Sequence, residues 1–203
     1  MDRNRSTAAG GFSAWVVCSQ KIMHKSIVLA SFRTEDLDEQ LRAAIIDVCI
    51  EAHQEPDFKN LFKYSPSGGR HFLAFLEDRV VSHAAVGTRW LQPEGQPILK
   101  TAYIDAVATL PAHQGQGYGS AVMQQLAKDI DSGFMIACLE TDRESFYRRL
   151  GWEPWRGPLA GRSEQGLVPT PDQRGIMILR LSGTPTLDLD SGLTIECQTG
   201  RIW

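Results

Sequence analysis

The chain has 203 residues with a formal net charge of −3, 42% hydrophobic and 22% charged. These values suit a globular domain with a well-buried core. The mild acidity speaks against nucleic acid or an acidic membrane surface as partner, and no apolar run approaches the roughly 20 residues that span a bilayer. The four cysteines, Cys18, Cys49, Cys138 and Cys197, lie far apart without ligand spacing. They read as reduced thiols in a cytoplasmic protein that holds no metal.

The opening stretch, "MDRNRSTAAGGFSAWVVCSQK", has two arginines before a mildly apolar run that Gly11 and Ser13 interrupt. It is too short and broken for a secretory signal. Residues 1–25 are expected to be a poorly ordered tail and 26–203 a single domain, with Met23 an alternative start. A strand is expected over 26–32. "TEDL" then suggests a capping box at Thr34, and Leu37, Leu41, Ile45, Ile46, Cys49 and Ile50 recur at helical spacing to about Ala52. Pro56, Pro66 and Gly68-Gly69 break the following segment, with room for a short helix over 58–64.

"HFLAFLED" and "VVSHAAVGTRWLQ" read as a strand pair turning near Asp78-Arg79, and "ILKTAYIDAVATL" as the next strand. A glycine-rich loop and a helix follow, then the strand "GFMIACLE", a short helix in "DRESFYRRLGW" and the strand "GIMILRL". The C-terminal stretch adds strand or extended structure. This succession describes an α/β (α+β) mixed sheet with helices on both faces.

"HQGQGYGSAVMQQLAKDI" places Gly115, Gly117 and Gly119 directly before an amphipathic helix whose Val122, Met123, Leu126 and Ile130 form a core face. Such a loop is either a close helix–strand contact or a phosphate cradle at a helix N-terminus. A dinucleotide fold is disfavoured because GxGxxG is absent, and a P-loop because no Lys-Ser/Thr follows.

Gln114-Gly115-Gln116-Gly117-Tyr118-Gly119 matches Q/R-x-x-G-x-G/A, the pyrophosphate signature of Gcn5-related N-acetyltransferases. "IDAVATLPAH" resembles that family's fourth strand and "FYRRLGW" its late helix, in the same order. The resemblance implies that family's mixed, mostly antiparallel sheet and acetyl-CoA as cofactor. The diphosphate would sit on Gln114, Gly115, Gln116, Gly117, Tyr118, Gly119 and Ser120, and the pantetheine beside the main chain of Val107 and Thr109. Acetyl transfer requires an amine free of its extra proton, a stabilised carbonyl oxygen and a tolerated leaving thiolate. By resemblance Asp105 is the water-mediated base, Val107 N–H an oxyanion donor and Tyr147 the acid. Asp105 could equally be a salt-bridge partner, and Tyr147 an aromatic that holds its helix on the sheet. His113 and His83 are read as structural.

"GWEPWRGP", "TPDQRGIMIL" and the ending Gly-Arg-Ile-Trp narrow the resemblance to aminoglycoside 2'-N-acetyltransferases. Asp105, Asp172 and Trp203, through its carboxylate, then become substrate contacts. Gln173, Arg174 and Arg201 stand where that family has acids, and Arg201 could offer a fork to an anion. The resemblance implies a small-molecule aminoglycoside partner and antibiotic resistance. A substrate with its own carboxylate, kasugamycin, leads over 2-deoxystreptamine aminoglycosides. A protein or polyamine amine as acceptor, or a catalytically silent acyl-CoA sensor, remain the alternatives. Edge strands and the C-terminal segment could build a homodimer.

Overall fold

The computed structural model describes residues 17–22, 25–64 and 68–203. Among the described residues eleven strands join one sheet. β1 (Val17–Ile22) and β2 (Lys25–Arg33) pair antiparallel, Val17 opposite Ala30. A strand therefore lies within the segment expected to be tail, while Met23 lies outside the described residues. β3 (Arg70–Leu76), β4 (Arg79–Pro93) and β5 (Leu99–Thr109) continue antiparallel. β6 (Ile136–Glu140) then lies parallel to β5. β10 (Ile176–Arg180) and the short β7 (Glu153–Pro154) close that side.

α1 (Glu39–His53) starts later than the sequence suggests. Thr34–Asp36 forms a 3-10 turn, and the carboxylate of Asp38 accepts the Leu41 N–H at 2.8 Å. Asp38, not Thr34, supplies the cap, because the extra turn absorbs the acids after Thr34. The short α2 (Leu61–Tyr64) follows another 3-10 turn, α3 (Tyr118–Ile130) follows the glycine loop, and α4 (Glu144–Arg148) precedes β7. Val122, Met123, Leu126 and Ile130 are all buried, as their spacing predicts.

Adjacent β4 residues show that α1 and α3 cover opposite faces. Ser82 lies under Gly119 of α3, and His83 lies 3.7 Å from Cys49 of α1. Successive strand side chains point to opposite sides. The face opposite α3 also carries a second core, where Tyr103, Cys138 and Ile178 meet Trp155, Leu189, Ile195 and Trp203.

The C-terminal segment covers that core by joining the sheet. β3 begins opposite Val86, and β11 (Leu193–Glu196) takes the same side of β4 further along, at Leu91–Pro93. β8 (Leu159–Ser163) runs parallel to β11, and β9 (Gly166–Pro169) folds back on β8. Arg89, 4% exposed, fastens the segment from beneath: Nε donates to Glu196 at 2.5 Å, and Nη2 to the main-chain oxygens of Glu196 and Ile202 at 2.7 Å. Buried charge is tolerated only with such pairing. Cys49, Cys138 and Cys197 are free thiols. Among the described residues no helix is long and apolar enough to cross a membrane.

Candidate active site

The site opens where two parallel strands part. The β5–β6 ladder runs from Thr101–Ile136 to Ile104–Leu139 and stops, while β5 continues to Thr109. A cleft of about 1760 Å³ fills the fork. Pockets for a single small ligand measure about 300–1,000 Å³, and this cleft is larger. Its walls are β5 from Ile104 to Thr109, the glycine loop, the β6–α4 junction, the end of α1, the 169–174 loop and Arg201.

The glycine loop meets the cleft with an uncapped helix. Gly117, at φ +90°, is the N-cap of α3, and no side chain caps the helix or places an acid in its first turn. The first helical bond runs from Ala121 N–H to the Gly117 carbonyl at 3.0 Å. The preceding amides are those a helix leaves for an anion, at the positive end of its dipole.

The three glycines differ in what they do. Gly115 and Gly117 take positive φ, and space beside Gly115 is open. At Gly119 a Cβ would stand 3.0 Å from Thr109 Oγ1 and 3.6 Å from Phe146, so the missing Cβ lets α3 pack closely on β5 and α4. Gln114, Gly115, Gly117, Tyr118, Gly119 and Ser120 all line the cleft. Gln116 does not; its side chain turns back to the Ala112 carbonyl at 2.9 Å.

Asp105 and Val107 also line the cleft, but strict alternation between them is broken. Ala106 has φ +50°, and the β4–β5 register shifts between His83 and Ala85. This is a β-bulge, in which one residue is left out of the ladder and the strand is re-aimed. A non-glycine residue in that left-handed region costs about 1–2 kcal/mol, so its surroundings must hold it there.

A buried pair of histidines supplies the hold. His83 Nδ1 lies 2.8 Å from the Ala106 carbonyl, its Nε2 2.9 Å from His71 Nδ1, and His71 Nε2 3.1 Å from Thr34 Oγ1. Burial pushes His71 down to about 4, helped by the Arg42 charge. Burial likewise pushes His83 down to about 3; His71 and His53 add to the drop, and the Ala106 bond opposes it. His83 is thus a core residue, and it does not face the cleft.

Asp105 is clamped. Arg201 Nη1 and Nη2 donate to its two oxygens at 2.7 and 2.8 Å, while Arg201 Nε donates to the main-chain oxygen of Trp203. The guanidinium also lies 5.1 Å over the Tyr103 ring, with Arg89 5.2 Å from the same ring. Burial works against the Arg201 charge, but the bonds and attraction of Asp105 outweigh it and raise its pKa. The fork expected to await an anion is therefore already on Asp105. Three of the five guanidinium N–H groups are used, leaving two.

Tyr147 lines the cleft yet is 6% exposed, edge-on to Phe146 at 4.9 Å and Trp152 at 5.9 Å. Burial, with a smaller push from Asp142 against Arg143, raises its phenol to about 12. Asp172 also lines the cleft. The Trp203 ring does not reach the cleft: it is buried, and its Nε1 donates to Thr170 Oγ1 at 3.0 Å. Glu55, Glu140 and Asp142 add carboxylates that sequence reasoning misses. Only Glu140 carries a signal, as the acid that ends a buried strand.

A parted parallel strand pair with an uncapped helix at its mouth is an arrangement able to seat a phosphate-bearing ligand. Residues 31–155 match the family described as Acetyltransferase (GNAT) domain, and the chain belongs to that family. It is an acetyl-CoA-dependent N-acetyltransferase. Over 175 residues it is 29% identical to an aminoglycoside 2'-N-acetyltransferase of Mycolicibacterium fortuitum, covering 84% of this chain and 89% of that one.

Solved structures share the fold. Eis1 from Mycobacterium abscessus aligns with TM-score 0.53 at 20% identity over 65% of this chain, which spans only 33% of that longer chain. The ribosomal-protein-S18-alanine N-acetyltransferase of Escherichia coli aligns with TM-score 0.52 at 21% identity, over 76% of this chain and 94% of that one. Escherichia coli ElaA aligns with TM-score 0.53 at 13% identity, over 76% and 99%.

Proposed function

We propose that the chain acetylates an amine of an aminoglycoside, with kasugamycin the leading substrate. The observation that carries this reading is the uncapped α3 N-terminus opening into the same cleft as Asp105 and Tyr147. The amides of residues 115–120 would hold the coenzyme diphosphate, and the main chain of Val107 and Thr109 the pantetheine. A Cβ-free, open Gly115 suits that approach.

In transfer, the amine nitrogen bonds to the acetyl carbon as the carbon–sulfur bond breaks. Val107 N–H is assigned to the oxygen that gains charge. Clamped by a guanidinium, Asp105 serves by drawing the ammonium in and passing its proton to water. Tyr147 stays protonated at neutral pH and donates toward the leaving sulfur.

Glu55, Asp105, Glu140, Asp142 and Asp172 share the cleft lining with Arg143, Arg149, Arg174 and Arg201, a mixed charge that suits a sugar bearing both amines and a carboxylate. Arg201, with two N–H groups to spare beside Asp105, suits a substrate that carries both an amine and a carboxylate. Incubating acetyl-CoA with kasugamycin and with gentamicin, followed by mass spectrometry, tests the reading. Addition of one acetyl group to kasugamycin is expected, and no acetylation of either would end it.

A further inference from the structure

Two histidines in an apolar core need a reason, because an apolar pair of similar volume would avoid their desolvation. Both are at most 1% exposed. His71 stands opposite Ala85 and His83 opposite Leu73, so the rings are diagonal neighbours on one face of β3 and β4. Their bonds run in one direction only. A carbonyl can only accept, so His83 Nδ1 carries the hydrogen toward Ala106. In a neutral ring Nε2 must then accept, from His71 Nδ1–H, and His71 Nε2 must accept from the Thr34 hydroxyl. Cys49 adds its S–H to the same carbonyl at 3.9 Å.

The chain of donors ends at the one β5 residue with positive φ, between Asp105 and Val107. The bulge takes the Ala106 carbonyl out of the regular ladder, and a buried carbonyl without a donor is costly. Without that donor, Ala106 has reason to leave its strained conformation, and Asp105 and Val107 would turn with it.

We propose that His83, oriented by His71, is a positioning residue for acetyl transfer: it fixes the Ala106 bulge and thereby the aim of Val107 N–H and of the Asp105 carboxylate. This rests on the function proposed above. Neither imidazole touches a reactant; they act through the main chain of β5.

The test compares His83→Leu with His83→Asn, whose amide nitrogen falls where Nδ1 lies and can still donate to Ala106. In thiol-release kinetics with acetyl-CoA and kasugamycin or gentamicin, His83→Leu is expected to lose about tenfold in kcat with KM values within about twofold. His83→Asn is expected to recover most of that loss. Equal kcat losses in both variants that follow their Tm values, or unchanged kcat in His83→Leu, overturn the proposal. Long-range proton–nitrogen NMR spectra of the unaltered protein should show both rings as Nδ1–H tautomers, and an Nε2–H tautomer at His83 overturns the chain whatever the variants do. If the unaltered protein acetylates neither compound, the proposed function falls and the positioning role with it. The tautomers still decide the hydrogen-bond chain.

Discussion

Replacing Arg201 by alanine removes a positive charge that sits on the carboxylate assigned to the amine. The pair is bidentate, at 2.7 and 2.8 Å, but its side chains are 40% and 43% exposed. Exposed pairs contribute about 0–1 kcal/mol to stability, so Tm should fall by no more than about 2–4 °C. The effect on a cationic amine is larger. A unit charge about 4 Å away is worth about 4 kcal/mol at an effective dielectric constant of 20 and about 1 kcal/mol in water. At this half-exposed position about 1.5 kcal/mol is a reasonable figure, or roughly tenfold in KM. Steady-state thiol release should therefore show KM for gentamicin falling about tenfold, while kasugamycin, deprived of a partner for its carboxylate, gains nothing. Arg201→Glu should enlarge the contrast. Equal KM changes for both antibiotics, or unchanged kasugamycin turnover in Arg201→Glu, would mean that the Arg201 charge does not act on the substrate.

Tyr147→Phe should lower kcat by about 10²-fold while Tm stays nearly fixed, since its ring contacts remain; an unaltered kcat would free Tyr147 from any role as donor. His71 and His83 have folded pKa values of about 4 and about 3 against an ordinary 6.5. The unfolded chain takes up these protons first, so their contribution is complete above about pH 6.5 and is lost as pH falls toward those values. Arg42 and His53, facing the pair from α1, oppose protonation further. Urea midpoints measured across that range should fall more gently in His83→Leu than in the unaltered protein, and an identical slope would contradict the assignment. Gly119→Ala should lower Tm because its Cβ would stand 3.0 Å from Thr109 Oγ1, and Thr109→Ala should restore part of the loss. Gly157→Ala should do far worse, its Cβ falling 1.7 Å from the Ser191 carbonyl oxygen, with loss of the C-terminal segment's docking detectable by limited proteolysis.

Local chemistry makes much of this molecule readable. β3, β4 and β5 follow from alternating apolar runs and breakers, and the glycine loop announces a helix that begins without a side-chain cap. The site is harder to read because its defining contacts span long sequence distances. Asp105 and Arg201 are 96 residues apart and meet only because β11 finds β4 and Arg89 fastens the last residues of the chain. Nothing local marks Ala106, a plain alanine, as a bulge. The two histidines carry a faint signal: they lie nearly symmetrically about the Glu77-Asp78 turn, so antiparallel pairing must bring them near each other. At Gly119 a missing Cβ has two uses, and only the packed structure shows that Thr109 and Phe146 stand where a Cβ would go. Asp105 is a salt-bridge partner as well as a cleft residue, two roles that sequence alone sets apart.

A crystal structure of the protein with coenzyme A decides whether the α3 N-terminus and β5 hold the coenzyme. The diphosphate is expected on the main-chain amides of residues 115–120, the pantetheine along β5 in the fork beside Val107, and the sulfur between Tyr147 and Asp105. Coenzyme bound elsewhere, or a diphosphate held only by side chains away from the α3 N-terminus, would contradict this placement.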